Sequence, residues 1–181
     1  MSLLTLEEVE ALARRAHAGQ TDKAGIPYVE HLAAVAHGVR ERGGDDEQIA
    51  AAWLHDALED GVVPDGWLAT APLTPHTKEL IDAMTKRQGE PLEAYAARLR
   101  ATPGAVLIKA ADVAHNADPA RLARLDPATR ERLSAKYART RQLLGLPDTE
   151  NRPDTENRPD TENRPDTVDR PHSEDRPAAE G

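Results

Sequence analysis

Apolar residues recur every three or four positions between roughly residues 5 and 145, the period of helices that bury one face. Residues 6–17 carry Val9, Leu12, Ala13 and Ala16 on one side, with Thr5 and Glu8 at capping-box spacing before them. Gly19 ends this helix, and the loop that follows holds Asp22, Lys23, Gly25 and Pro27, residues that make turns and also present a lysine. A second helix is predicted over 28–40, with His31 along its apolar stripe beside Ala34, Val35 and Gly38. Gly43-Gly44 breaks it, and Asp45 caps a third helix. That third helix is nearly all apolar over 49–54, then turns polar through His55-Asp56-Ala57-Leu58-Glu59-Asp60 and stops near Gly61. Residues 64–75 read as a loop anchored by Trp67. Further helices are predicted over 77–85, 91–100, 104–116 and 127–144, a bundle of about seven or eight helices.

The pattern stops at Pro147. From there a six-residue unit, Pro-Asp-Thr-Glu-Asn-Arg, repeats and decays to the C-terminus with almost nothing apolar. Such a segment buries too little surface to offset its ordering entropy, so residues 147–181 are expected to be a disordered tail and residues 1–146 one domain. The tail holds eleven of the acidic residues and five of the arginines, a net of −6 out of the chain's −9. About −3 remains on the domain, too little basic character for a nucleic-acid surface. The chain has no cysteine, which excludes disulfides and thiolate metal sites. No apolar run approaches the roughly 18 residues of a membrane span and no signal pattern opens the chain, so a soluble, cytoplasmic protein is expected. Without phenylalanine, its core must rely on Ala, Leu and Val.

Two stretches carry candidate chemistry. In 55–60 an imidazole and a carboxylate stand side by side, with Glu59 and Asp60 about one helical turn later. An acidic helix end that happens to include a histidine fits the hexapeptide equally well. In 104–116 an apolar helix becomes polar on one face, with Lys109, Asp112 and Asn116 at helical spacing. There Asp112 needs a partner, either Lys109 or a metal, because an unpaired buried carboxylate is costly. Taken together, His31, His55, Asp56 and Asp112 offer two imidazoles and two carboxylates on apolar-faced helices. That donor set suits Mn²⁺ or Fe²⁺ better than structural zinc. His17 and His37 lack such company and read as structural or exposed, and His76 reads as exposed.

The order His, His-Asp, Asp resembles the HD-domain metal-dependent phosphohydrolases. The likeness tightens in three segments: His17-Ala-Gly-Gln-Thr-Asp-Lys-Ala-Gly-Ile-Pro-Tyr-Val-Glu-His31, His55-Asp-Ala-Leu-Glu-Asp60 and Lys109-Ala-Ala-Asp-Val-Ala-His-Asn116. These are similar to the hydrolase domain of RelA/SpoT-type alarmone enzymes. That resemblance implies an HD-type helical bundle with a manganese ion on His31, His55, Asp56 and Asp112. It also implies that Glu59 and Asp60 orient or deprotonate the attacking water. Asn116, Lys23, Lys136 and Tyr137 become the candidate substrate contacts. The implied reaction removes the 3′-pyrophosphate from (p)ppGpp, leaving GDP or GTP, in a small stand-alone hydrolase whose partner is the nucleotide. Asp22 stands where that family usually has a basic residue, and Leu32 where it usually has proline. An HD hydrolase for another nucleotide or a phosphomonoester, and a scaffold that binds without turnover, are the alternatives.

Overall fold

The computed structural model describes residues 2–147, so the hexapeptide segment from residue 148 onward, including the expected tail, lies outside the described residues. Within them the domain is all-α. Helices α1 (Leu6–Ala16), α2 (Tyr28–Glu41), α3 (Asp46–Leu54), α5 (Pro75–Met84), α6 (Leu92–Ala101), α7 (Ala105–Asn116) and α9 (Pro127–Leu144) match predicted ones to within two residues at most ends. Two single-turn helices were not anticipated: α4 (Trp67–Thr70), inside the expected loop, and α8 (Pro119–Leu122). Both are too short to leave a periodic signature, although Trp67 does pack against the core as expected. No described helix is long and apolar enough to cross a membrane.

The largest departure concerns α3, which ends at Leu54. His55 is its C-cap, and residues 56–61 form successive turns instead of continuing the helix. Hydrogen bonds from Ala57 N to Leu54 O, from Asp60 N to Asp56 O and from Val62 N to Ala57 O hold those turns. The polar hexapeptide therefore wraps over the end of a buried helix.

Local chemistry explains the main starts. Thr5 and Glu8 cap α1 reciprocally, and Asp45 and Gln48 do the same for α3. Residues 49–54 of α3 are all buried, and α1, α2, α5 and α7 pack around it. A helix apolar on every side belongs in the middle of a core. Its Ala50, Ala51 and Ala52 keep the neighbours close, and Leu32, Val35, Leu80, Ile81, Leu99 and Ile108 fill the space between.

Two glycines set helix spacing around α7. Gly38 of α2 faces Ala111, and a Cβ there would lie 3.2 Å from the Ala111 Cβ. Gly104 caps α7 with φ +85°, a conformation that disfavours other residues, and a Cβ on it would meet Gln48 Nε2 at 2.6 Å. That amide instead donates to the Gly104 carbonyl, joining the start of α7 to the start of α3.

On the far side, Arg98 of α6 closes the C-terminal end of α5. Its guanidinium donates to the carbonyls of Asp82, Ala83 and Thr85 and pairs with Glu90 at 2.7 Å. Arg98→Ala would orphan those carbonyls and leave Glu90 unpaired. It should cost about 2–4 kcal/mol of unfolding free energy, read by urea titration. A loss under 0.5 kcal/mol, roughly the surface-substitution range, would show the knot to be ornamental.

Candidate metal centre and substrate cavities

Three elements bring four donor atoms together. Tyr28 and His31 are one turn apart on α2, His55 and Asp56 follow the end of α3, and Asp112 lies on α7. His31 Nε2 is 3.4 Å from Asp112 Oδ1 and 3.6 Å from Asp56 Oδ2. His55 Nε2 is 3.0 Å from Asp56 Oδ2 and 3.9 Å from Asp112 Oδ1. Ligand atoms of His31, His55 and Asp112 all fall within 4.8 Å of one another, and all three residues are buried. This is the spacing of donors around one ion.

The tautomers agree with that use. His55 Nδ1 lies 2.7 Å from the Ala52 carbonyl, an acceptor, so Nδ1 carries a proton and the lone pair of the neutral ring is on Nε2. That Nε2 is fully buried and has no hydrogen-bond partner. An orphaned nitrogen beside two carboxylates is what a cation site requires, so the donor set fits a divalent metal. His31 Nδ1 lies 2.8 Å from His115 Nδ1. Burial, and after it the charge of His31, lower the His115 pKa to about 4, which keeps this ring neutral. His115 therefore accepts from His31 Nδ1–H, leaving His31 Nε2 to face the site.

The carboxylates are held as anions. Burial works against ionisation of Asp112, but the Lys109 ammonium and both imidazoles outweigh it and hold its pKa below the usual carboxylate range. Lys109 Nζ reaches Asp112 Oδ2 at 2.7 Å, and Asn116 Nδ2 donates to Oδ1 at 2.6 Å. Lys109 thus takes one oxygen of Asp112, while the other, which Asn116 also reaches, faces His31 and His55. Tyr28 donates its hydroxyl to Asp56 Oδ2 at 2.5 Å and stacks on His17. Burial alone would lower the His55 pKa, but the Asp56 and Asp112 carboxylates outweigh it and raise it to about 9.

Glu59 and Asp60 part company. Glu59 accepts from the backbone N–H of Lys86 and borders two cavities beside the His/Asp cluster. Asp60 accepts from Gln20 Nε2 at 2.7 Å, and Gln20 Oε1 lies 2.6 Å from Nδ1 of the buried His17. Asp60 does not line either cavity. The two neighbouring acids thus meet different partners, Glu59 at the cavities and Asp60 at the loop after α1.

The outer cavity, about 420 Å³, is lined by Lys23, Arg121, Leu125, Leu133 and Tyr137 among others. The inner one, about 140 Å³, reaches Asp56 and Asp112 and has Lys86, Lys109 and Lys136 in its wall. Glu59, Asn116, Lys136 and Tyr137 border both. Burial and then the neighbouring Lys109 and Lys86 ammoniums lower the Lys136 pKa, the mark of cations crowded together. All four sequence-predicted substrate contacts, Lys23, Asn116, Lys136 and Tyr137, line a cavity next to the His/Asp cluster. Tyr28, Lys86 and Arg121 are additions that no spacing pattern marked, and His115, which shares the helical spacing of Lys109, Asp112 and Asn116, gains a role that the spacing did not give it.

A family described as "HD domain" matches residues 10–138, most of the chain. The chain belongs to the HD domain family. Among similar proteins, the guanosine-3′,5′-bis(diphosphate) 3′-pyrophosphohydrolase of Haemophilus influenzae is 30% identical over 155 residues, covering 77% of this chain. The enzyme of the same name from Vibrio cholerae is 40% identical over 89 residues, 46% of this chain. A probable guanosine-3′,5′-bis(diphosphate) 3′-pyrophosphohydrolase of Synechocystis is 52% identical over 44 residues, 24% of this chain. The matches span only 22%, 12% and 6% of those relatives' own lengths.

Because His31 and His55 have raised pKa values, protons compete with the ion for Nε2. Metal affinity should rise with pH up to about 9, and binding should release protons, so the calorimetric enthalpy should vary with the buffer's ionisation enthalpy. His115→Ala, which frees the His31 tautomer, should weaken the metal about 10–100-fold with the helical content unchanged. Wild-type affinity in that variant would remove His115 from the site.

Proposed function

We propose that this HD-domain protein is a metal-dependent phosphohydrolase that removes the 3′-pyrophosphate from guanosine 3′,5′-bis(diphosphate), (p)ppGpp, leaving GDP or GTP. The observation that carries this reading is the pair of unequal cavities meeting at the four-donor cluster. The outer one has the volume and the apolar, aromatic and cationic wall for a nucleoside diphosphate. The inner one has the size and the lysines for a pyrophosphate. The names of the relatives agree with this substrate.

His31, His55, Asp56 and Asp112 would hold the ion, with Mn²⁺ or Fe²⁺ suiting two imidazoles and two carboxylates. When bound, a divalent cation acidifies water and screens phosphate charge. The remaining work falls to side chains. Lys86 and Lys136 neutralise the pyrophosphate, while Lys109 keeps Asp112 anionic and correctly turned. Glu59, exposed at the junction of the cavities, accepts the proton of the attacking water. Water oxygen bonds to the phosphorus attached at the 3′ position, the bond from that phosphorus to the ribose 3′-oxygen breaks, and that oxygen takes a proton from solvent and leaves as the alcohol, Glu59 returning its own proton to solvent. Asp60 acts at one remove, steadying Gln20 and the loop that carries Lys23.

Purified protein with Mn²⁺ should release pyrophosphate from ppGpp and act poorly on GTP, deoxynucleoside triphosphates and nucleoside monophosphates. Free phosphate from the monophosphates, with ppGpp untouched, would overturn the reading in favour of a phosphomonoesterase. Asp112→Ala should lose both metal and turnover. Glu59→Gln should keep the metal and lose about 10²–10⁴-fold in kcat, the usual worth of a general base. Asp60→Asn should lose less than Glu59→Gln. If Glu59→Gln retains full activity, the proton goes elsewhere.

A further inference from the structure

The loop after α1 and the short helix α8 are joined by one ion pair, and its cation faces the outer cavity. Asp22 is the centre of the loop: Oδ1 accepts from the backbone N–H groups of Ala24 and Ile26, and its own N–H donates to the Ile26 carbonyl. Oδ2 takes Arg121 Nη2 at 2.8 Å, across 99 residues of chain. Burial opposes the charge of Asp22, but those backbone N–H groups and the Arg121 guanidinium hold its pKa below the usual range. The acidic side chain at the mouth of a cavity suited to an anion is therefore already neutralised. Its ionic role is to hold Arg121.

The guanidinium has more donors than Asp22 uses. It carries five N–H groups in a planar fork, and among the described residues its side chain hydrogen-bonds only to Asp22. Arg121 nevertheless lines the outer cavity, as does Lys23 in the loop that Asp22 organises. Leu125, Leu133 and Tyr137 line the same space. A cavity with two cations from separate elements and an apolar, aromatic wall suits a nucleotide whose base lies on the wall and whose phosphates meet the cations. A planar fork held along one edge presents its other edge for two parallel hydrogen bonds to phosphate oxygens.

We propose that Arg121, braced by Asp22, is the specificity-determining residue for the 5′-diphosphate of the nucleotide, the group that is not hydrolysed. The inference rests on the reading above that a guanosine nucleotide occupies these cavities, and it names what distinguishes that nucleotide from one without 5′ phosphates.

Binding of GDP and of guanosine to the Mn²⁺-loaded full chain, followed by calorimetry, tests it without any need for turnover. Wild type should prefer GDP. Arg121→Ala should weaken GDP about 10–100-fold, the worth of charge-assisted hydrogen bonds, while leaving guanosine unchanged. Arg121→Lys should recover part of the loss, because it restores charge without the fork. Asp22→Asn, which keeps the acceptor for Ala24 and Ile26, should cost GDP less than Arg121→Ala does. Equal weakening of GDP and guanosine in Arg121→Ala would mean that Arg121 only shapes the loop, and would overturn the proposal. So would undiminished GDP binding in that variant, or a wild type without preference for GDP. Should Arg121→Ala fail to fold, Arg121→Gln and Arg121→Lys give the same ratio. Turnover of ppGpp, measured beside these titrations, separates the two claims. Turnover without selectivity for the diphosphate refutes the role of Arg121 alone, and selectivity without turnover refutes the hydrolase reading alone.

Discussion

Burying an ionised carboxylate inside a helical core is the constraint on which this domain depends. Asp112 has almost no contact with solvent, and an uncompensated charge there would cost more than the surrounding apolar packing returns. It is compensated from several directions at once. Lys109 and Asn116 come from its own helix, one turn to either side, and His31 and His55 come from α2 and the end of α3. The contributions come from three elements, α7 itself, α2 and the end of α3, so the electrostatics of the site and the packing of the bundle are a single problem. His115 remains neutral because it is partly buried and stands beside the charge of His31.

Much of this was legible before any coordinates, for a physical reason. Polar residues on otherwise apolar helix faces must find partners, and His31, His55, Asp56 and Asp112 were the chemically matched set on such faces. The long helices could be read because their faces repeat over three turns or more. Where residues 55–60 sit was not legible, since their alternation of apolar and polar positions is compatible with one more turn of helix. Beyond Leu54 the backbone of 55–61 is satisfied by local turn hydrogen bonds instead of a continuous helical ladder. The two adjacent acids consequently serve different surroundings.

Residues that support the ligands were harder to see than the ligands. His115 looks like an unremarkable polar position near a helix end, and only the approach of α2 to α7 makes it the partner of His31. Tyr28 looks like the first residue of a helix, yet its hydroxyl holds Asp56. Asp22 looks repulsive toward a phosphorylated substrate until Arg121 arrives from the far end of the fold. In each case the signal is a pairing across many residues of chain, which neither periodicity nor local motif can carry.

The contact of Gly38 with Ala111 bears on how such a domain fails. Gly38 is two helical turns along α2 from His31, about 10 Å at the rise of an α-helix, and touches neither cavity wall. Yet the separation of α2 from α7 at that crossing determines how far His31 stands from Asp112. A methyl group added there would act as a wedge with its fulcrum in the core and its effect at the ion. Lesions in this family member would then fall into two geographies: those that alter a donor, and those that leave every donor in place while spacing them for no ion at all.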